Sequence, residues 1–181
     1  MTDSEPDPVE SPVECGTVGL NHAVLWVRDP ARSSSFYQRV LGLVELGGMP
    51  GAVFLKAPAS PNDHDLALFA TNQHVPPPHS PGLYHLAWEV PTLRVLRAVR
   101  ERLGASLVGA SDHTLTKSLY AKDPDGIEFE VMWQVPIGAD ERNSTDIVPT
   151  RPLDLDAEIE RFGPDRLGGW QELVSRAGPA G

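Results

Sequence analysis

The sequence predicts an α+β protein in which two tandem βαβββ modules place their strands as a curved mixed sheet around a cavity. Three observations carry that expectation. A strand, helix, strand, strand, strand order of apolar patterns occurs twice along the chain. Each opening strand carries a histidine in its third place, His22 in the run from Leu20 to Val27 and His85 in the run from Leu83 to Val90. Each helix is closed by a glycine, Gly42 and Gly104, the residue that most readily takes the left-handed stop.

The elements follow in order. Residues 1–16 are acidic, carry Pro6, Pro8 and Pro12, and have too little apolar surface to offset the entropy of ordering, so a flexible N-terminal tail is expected. The first module takes residues 17–74. Its opening strand ends at Asp29-Pro30, a helix-start signal, and Phe36, Tyr37, Val40 and Leu41 recur at helical spacing over 31–41. Strand-like runs at 43–46, 52–56 and 66–70 are separated by Gly-Gly, Pro-Gly and Pro-Asn-Asp turn signals. A proline-rich linker occupies 75–82, with Pro76, Pro77 and Pro78 as a stiff connector. The second module, 83–135, repeats the order: Thr92 caps a helix whose stripe is Leu93, Leu96, Val99 and Leu103, and strands follow at 106–108, 117–121 and 127–133. Trp26, Trp88 and Trp133 are expected between helix and sheet. The remainder, 136–181, reads as a C-terminal tail with short helices.

Composition narrows the classes of function. Fifteen Lys and Arg against 25 Asp and Glu give a formal charge of −10, with the excess acids at the two ends and a nearly neutral body. Phosphate neutralisation needs a basic surface, so nucleic acid is not an expected partner. No apolar run reaches about 18 residues, which excludes a membrane-spanning helix of the usual length. Cys15 is the only cysteine, so neither an intramolecular disulfide nor a cysteine zinc site is available. The start of the chain lacks the basic then apolar pattern of a secretory signal, and a reducing cytoplasm is the expected compartment.

Strand parity selects the chemistry-bearing side chains. His85, Ala87 and Glu89 share one face of their strand, while Tyr84, Leu86, Trp88 and Val90 share the other. In the last strand Glu128, Glu130 and Met132 stand together, opposite Ile127, Phe129, Val131 and Trp133. His22, His85 and one of the two glutamates therefore offer two imidazoles and a carboxylate to one cavity. That donor set leaves neighbouring coordination positions open and suits non-haem Fe(II), with Mn(II) as a close relative. His64, at a turn, and His74 and His79, beside the proline connector, are the weaker histidine candidates.

Two motifs extend the reading. Phe36-Tyr37-Gln38-Arg39-Val40-Leu41-Gly42 and Asp123-Pro124-Asp125-Gly126-Ile127-Glu128-Phe129-Glu130 together resemble the vicinal-oxygen-chelate superfamily over about residues 18–135. That group contains glyoxalase I, extradiol ring-cleaving dioxygenases, fosfomycin-inactivating thiol transferases and bleomycin-binding proteins. The resemblance implies His22, His85 and Glu130 as metal ligands and Glu128 as the non-ligand of its strand. It puts a further glyoxalase I carboxylate near Ala67 or Leu68, where neither residue binds a metal, so glyoxalase I chemistry is not expected. Ser111-Asp112-His113-Thr114 with Ser118-Leu119-Tyr120 resembles catechol 2,3-dioxygenase-like proteins, as does Thr150-Arg151-Pro152-Leu153-Asp154-Leu155-Asp156 in the tail. This implies His113 as an acid–base residue and Tyr120 as a hydrogen-bonding partner beside the substrate. The expected activity is Fe(II)-dependent extradiol cleavage of a catechol-like vicinal diol by O2, in a chain able to homodimerise. The alternatives are a metal-dependent thiol transferase of the fosfomycin-resistance type and a non-catalytic small-molecule-binding protein.

Overall fold

The computed structural model describes residues 19–73, 81–136 and 150–169. The tail at 1–16, most of the linker, and His74 and His79 lie outside the described residues.

Each module forms its own mixed sheet. In the first, β1 (Ala23–Val27) is followed by α1 (Pro30–Leu41), β2 (Val44–Met49), β3 (Ala52–Lys56) and β4 (Leu66–Ala70), with spatial order β1-β4-β3-β2. In the second, β5 (Leu86–Glu89) precedes α2 (Leu93–Leu103), β6 (Leu107–Asp112), β7 (Thr116–Lys122) and β8 (Glu128–Gln134), in the order β5-β8-β7-β6. The first strand pairs in parallel with the fourth in both modules, and the other pairings are antiparallel. The repeat read from the sequence is thus a repeat of topology. The opening strands start later than their apolar patterns suggest, so His22 and His85 sit just ahead of β1 and β5.

Local signals explain the helices. Asp29 caps α1, its Oδ1 accepting from Ala31 N at 3.0 Å and Arg32 N at 3.1 Å, with Pro30 in the first turn where a missing N–H costs nothing. Gly42, at φ 74°, lets its N–H return to Gln38 O. Thr92 Oγ1 caps α2 through Val95 N at 3.2 Å.

The core is continuous across both modules. Leu25, Val27, Leu66 and Leu68 from the first sheet and Leu119, Phe129, Val131 and Trp133 from the second are buried together with Phe36, Tyr37 and Val40 of α1 and Leu93, Leu96 and Val99 of α2. Each such side chain contributes roughly 1.5–3 kcal/mol on burial. The motifs behind the family resemblance meet in this core. Tyr37 OH donates to Asp123 Oδ2 at 3.2 Å, while Asp125 accepts from Arg28 N at 2.8 Å and from Arg32 Nη2 at 2.5 Å. Asp123 Oδ1 meanwhile accepts from the N–H groups of Asp125 and Ile127, both at 2.9 Å, and Gly126 turns the chain at φ 87°. The Asp-Pro-Asp-Gly turn is therefore a clamp between modules.

One expectation about the core is corrected. Trp133 is fully buried, but Trp26 is 65% exposed, because it alternates with the core residues Leu25 and Val27 and stands on the opposite face of β1. The C-terminal region adds β9 (Arg151–Pro152), which pairs with β6, and α3 (Leu155–Phe162), which buries Leu155 and stacks Phe162 on Trp133 at 5.3 Å. No helix among the described residues is long and apolar enough to cross a membrane.

Candidate functional site

The outer faces of the sheets, away from the common core, carry the candidate residues. On the second sheet, register brings four of them together. Glu130 lies opposite Ala87 on one side and Tyr120 on the other. His85, at the mouth of β5, places Nε2 3.1 Å from Glu130 Oε2, and its ring centroid is 5.8 Å from that of Tyr120. Tyr120 OH in turn lies 2.8 Å from His113 Nε2, and His113 Nδ1 lies 3.1 Å from Thr150 Oγ1. A chain Thr150–His113–Tyr120 thus stands beside the His85–Glu130 pair.

Burial and chemistry suit this pair to a cation. Glu130 is 9% exposed, and His85 Nδ1 is buried with no hydrogen-bond partner among the described residues. A separation of 3.1 Å serves either a hydrogen bond or two neighbouring ligands of one ion. Burial, with the Glu130 carboxylate adding to it, raises the Tyr120 pKa, so the phenol stays protonated at neutral pH and can donate.

His22 is elsewhere. It lies at the start of β1 on the outer face of the first sheet, with Nδ1 2.8 Å from Asn21 Oδ1 and its ring 4.3 Å from that of His64. Leu25 and Val27 on one strand and Leu86 and Trp88 on the other point into the shared core, so the faces bearing His22 and His85 are turned outward on separate sheets. Among the described residues no three His, Cys, Asp or Glu side chains gather as a metal-holding group within the single chain.

The first sheet offers no carboxylate at the place equivalent to Glu130. Val24 pairs with Ala67 as Ala87 pairs with Glu130, so Ala67 occupies the place in the first module that Glu130 takes in the second. Leu68 faces the core. Around Ala67 the face is aromatic: Trp26 and Phe69 meet edge to face at 5.8 Å, Phe54 and Phe69 at 6.1 Å, and Phe54 and His64 at 5.3 Å. A hollow of about 540 Å³ opens here, lined by Leu46, Met49, Phe54, Asp63 and His64.

Two residues weigh more in the structure than in the sequence. His64, expected at a turn as one of the weaker histidine candidates, stacks beside His22, a contact set by how the turn before β4 folds back. Lys117 is 1% exposed, and its Nζ lies 2.5 Å from Asp112 Oδ1 and 3.2 Å from Glu158 Oε2 on α3. A signal existed in parity: Lys117 alternates with Leu119 and Ala121 on the core-facing side of β7.

Comparison with known proteins adds the family context. The family model described as the Glyoxalase/Bleomycin resistance protein/Dioxygenase superfamily matches residues 19–131. A catechol-2,3-dioxygenase of Bacillus subtilis (strain 168) is 27% identical over 154 residues, 81% of this chain and 53% of that protein, so the chain spans about half the length of this curated relative. A glyoxylase/bleomycin resistance protein/dioxygenase domain from Frankia sp. EAN1pec superposes with a TM-score of 0.59 at 22% identity, covering 71% of this chain and 100% of the other. The fosfomycin resistance protein FosX from Mesorhizobium loti does so with a TM-score of 0.52 at 19% identity, with the same coverage. At these identities the structural likeness is one of fold.

Proposed function

Because the chain belongs to the glyoxalase/bleomycin resistance protein/dioxygenase superfamily, we propose that it is an extradiol ring-cleaving dioxygenase acting on a catechol-like vicinal diol. The observation that carries this reading is the His113–Tyr120 pair, 2.8 Å apart and beside His85 and Glu130. The distant similarity to a catechol-2,3-dioxygenase supports it.

His85 and Glu130 of one copy, with His22 of a second copy, would hold the ion, with Fe(II) preferred and Mn(II) the close relative. The outward faces favour such a pairing. Val24, Trp26, Leu46 and Met49 on the first sheet and Val108 on the second are exposed, with Tyr84 just ahead of β5, a breadth of apolar surface that usually marks an interface. A dimer that sets one outer face against the other covers both and brings two imidazoles and a carboxylate together. A bound cation would act as a Lewis acid toward the two vicinal oxygens and would carry electron density from them toward O2.

The chain's own residues do the rest. His113 is the proton acceptor for the diol, at a nitrogen shared with the Tyr120 hydroxyl. Tyr120, held as the phenol, donates its one proton to His113 Nε2 before substrate binds and turns it to a substrate oxygen once the diol proton reaches that nitrogen. The aromatic face around Phe54, Phe69 and Trp26 suits a planar ring and excludes water from it. Ala67 supplies no fourth ligand, which separates this donor set from one with two carboxylates.

The test is oxygen uptake. Protein loaded anaerobically with Fe(II) and exposed to air with a panel of catechols should consume O2 and form yellow ring-opened products. No uptake with any catechol overturns the assignment. Loss of fosfomycin with Mn(II) and a thiol would instead favour a transferase, a reading supported only by the fold shared with FosX. Ligand binding indifferent to chelators would favour a non-catalytic binding protein.

A further inference from the structure

Residues 150–158 lie beyond the stretch matched by the family model, yet they touch the hairpin that carries His113 at three points. The first is the Thr150 hydroxyl, 3.1 Å from His113 Nδ1. The second is β9, whose Arg151 and Pro152 pair with Asp112 and Ser111 on the edge of β6. The third is Glu158 of α3, which reaches the buried Lys117 ammonium at 3.2 Å.

These contacts converge on an unusual turn. Thr114 is the only described residue other than glycine with a positive φ, at 67°, a conformation that costs a β-branched side chain free energy and persists only when neighbours impose it. Asp112 Oδ1 imposes it by accepting from Thr114 N at 2.7 Å and from Lys117 Nζ at 2.5 Å. Leu115 N closes on His113 O at 2.8 Å, and His113 N donates to Thr116 O at 3.0 Å. Lys117 thus joins the turn, through Asp112, to α3, through Glu158. A buried cation between two carboxylates holds geometry more than it adds stability, since desolvation offsets much of the attraction.

We propose that this C-terminal segment belongs to the functional site, with Thr150 and the Lys117–Glu158 pair as positioning residues that hold the His113 ring against Tyr120. The inference rests on the reading of His113 and Tyr120 as the proton-handling pair. In this arrangement Tyr120 OH donates to His113 Nε2, and His113 Nδ1–H donates to Thr150 Oγ1. Thr150 selects the tautomer by occupying the far nitrogen, and the buried ion pair fixes the turn from which the ring projects.

The experiment is nitrogen-detected imidazole NMR on the full chain near neutral pH, comparing wild type with Thr150→Val, Thr150→Ser and Glu158→Gln. Wild type and Thr150→Ser are expected to show His113 protonated at Nδ1. Thr150→Val should raise the population protonated at Nε2 by roughly fivefold, the change that one ordinary hydrogen bond supports. Glu158→Gln should move the His113 signals in the same direction. Thr150 is exposed, so its substitution leaves the core intact. If Glu158→Gln unfolds, the double change Lys117→Met with Glu158→Leu replaces the ion pair by apolar groups and should also shift His113. Coincident His113 spectra in wild type and Thr150→Val, or failure of Thr150→Ser to keep the wild-type signals, overturns the positioning role. The readout needs no turnover, so a wild type lacking ring-cleaving activity overturns the proposed reaction and not this inference.

Discussion

Glu130 and Ala67 occupy the same place in two copies of one motif, and that single chemical difference decides which module's last strand can offer a carboxylate. Asp112 has a comparable leverage over the turn bearing His113. Burial works to raise its pKa, but the hydrogen bonds from Lys117 and the Thr114 N–H, with the charges of Lys117 and Arg151, outweigh burial and leave the carboxyl below its ordinary value of 3.8. The sign of the linkage follows. A depressed folded-state pKa contributes stability above the unfolded value, and that contribution is lost as pH falls through the folded one. Asp112→Asn should therefore lower stability at neutral pH and flatten the acid side of the profile below pH 3.8, as read by thermal unfolding at a series of pH values. An acid limb unchanged by the substitution would show that Asp112 does not carry it.

Among the elements, the Asp-Pro-Asp-Gly turn before β8 does the most to join the modules. Asp123 accepts two backbone N–H groups of its own turn and the Tyr37 hydroxyl of α1, and it is 5% exposed. Replacing it strands buried donors, each of which costs about 1–3 kcal/mol. Asp123→Ala should destabilise the protein by about 3 kcal/mol, and Tyr37→Phe by about 1 kcal/mol, since the latter removes one donor and leaves Asp123 its two backbone partners. Chemical denaturation checks both. An equal cost for the two substitutions would mean that the turn's own hydrogen bonds form without Asp123. The helices and sheets themselves were legible in the sequence, since capping residues, glycine stops and alternating patterns act over a few residues. Strand limits were less so: β6 runs to Asp112 rather than stopping near 108, because pairing with β7 and β9 extends it beyond its apolar residues.

For the molecule as a whole, the back-to-back packing of the two sheets has a consequence for assembly. If His22 of one copy completes the site of another, two inactive variants should repair each other. His22→Ala and Glu130→Ala, unfolded and refolded together, form hybrids in which one site retains all three ligands and the other loses two. Random reassortment then restores roughly a quarter of the wild-type iron content and oxygen uptake, while each variant alone stays empty. No recovery in a mixture shown to contain hybrids would place the three ligands otherwise. Trp26, stranded on the outer face, should be covered in the dimer, so Trp26→Asp is expected to sediment as a monomer.

Part of the candidate site was legible in residue order alone: His85 with the glutamate on the final strand, and His113 with Tyr120, are the residues the structure brings together. Motif spacing and strand parity are local properties, and a linear chain displays them openly. Parity also put His85 and Glu130 on one face, and the fold set their 3.1 Å contact. The orientation of the two sheets was not legible. Whether the faces bearing His22 and His85 look toward each other or apart depends on which surfaces share the core, and that follows from α1 packing on Phe129 and from the clamp at Asp123 and Asp125. The contact of Lys117 with Glu158 and the reach of α3 belong to the same class, since they join residues far apart in sequence through contacts that exist only once the chain has folded.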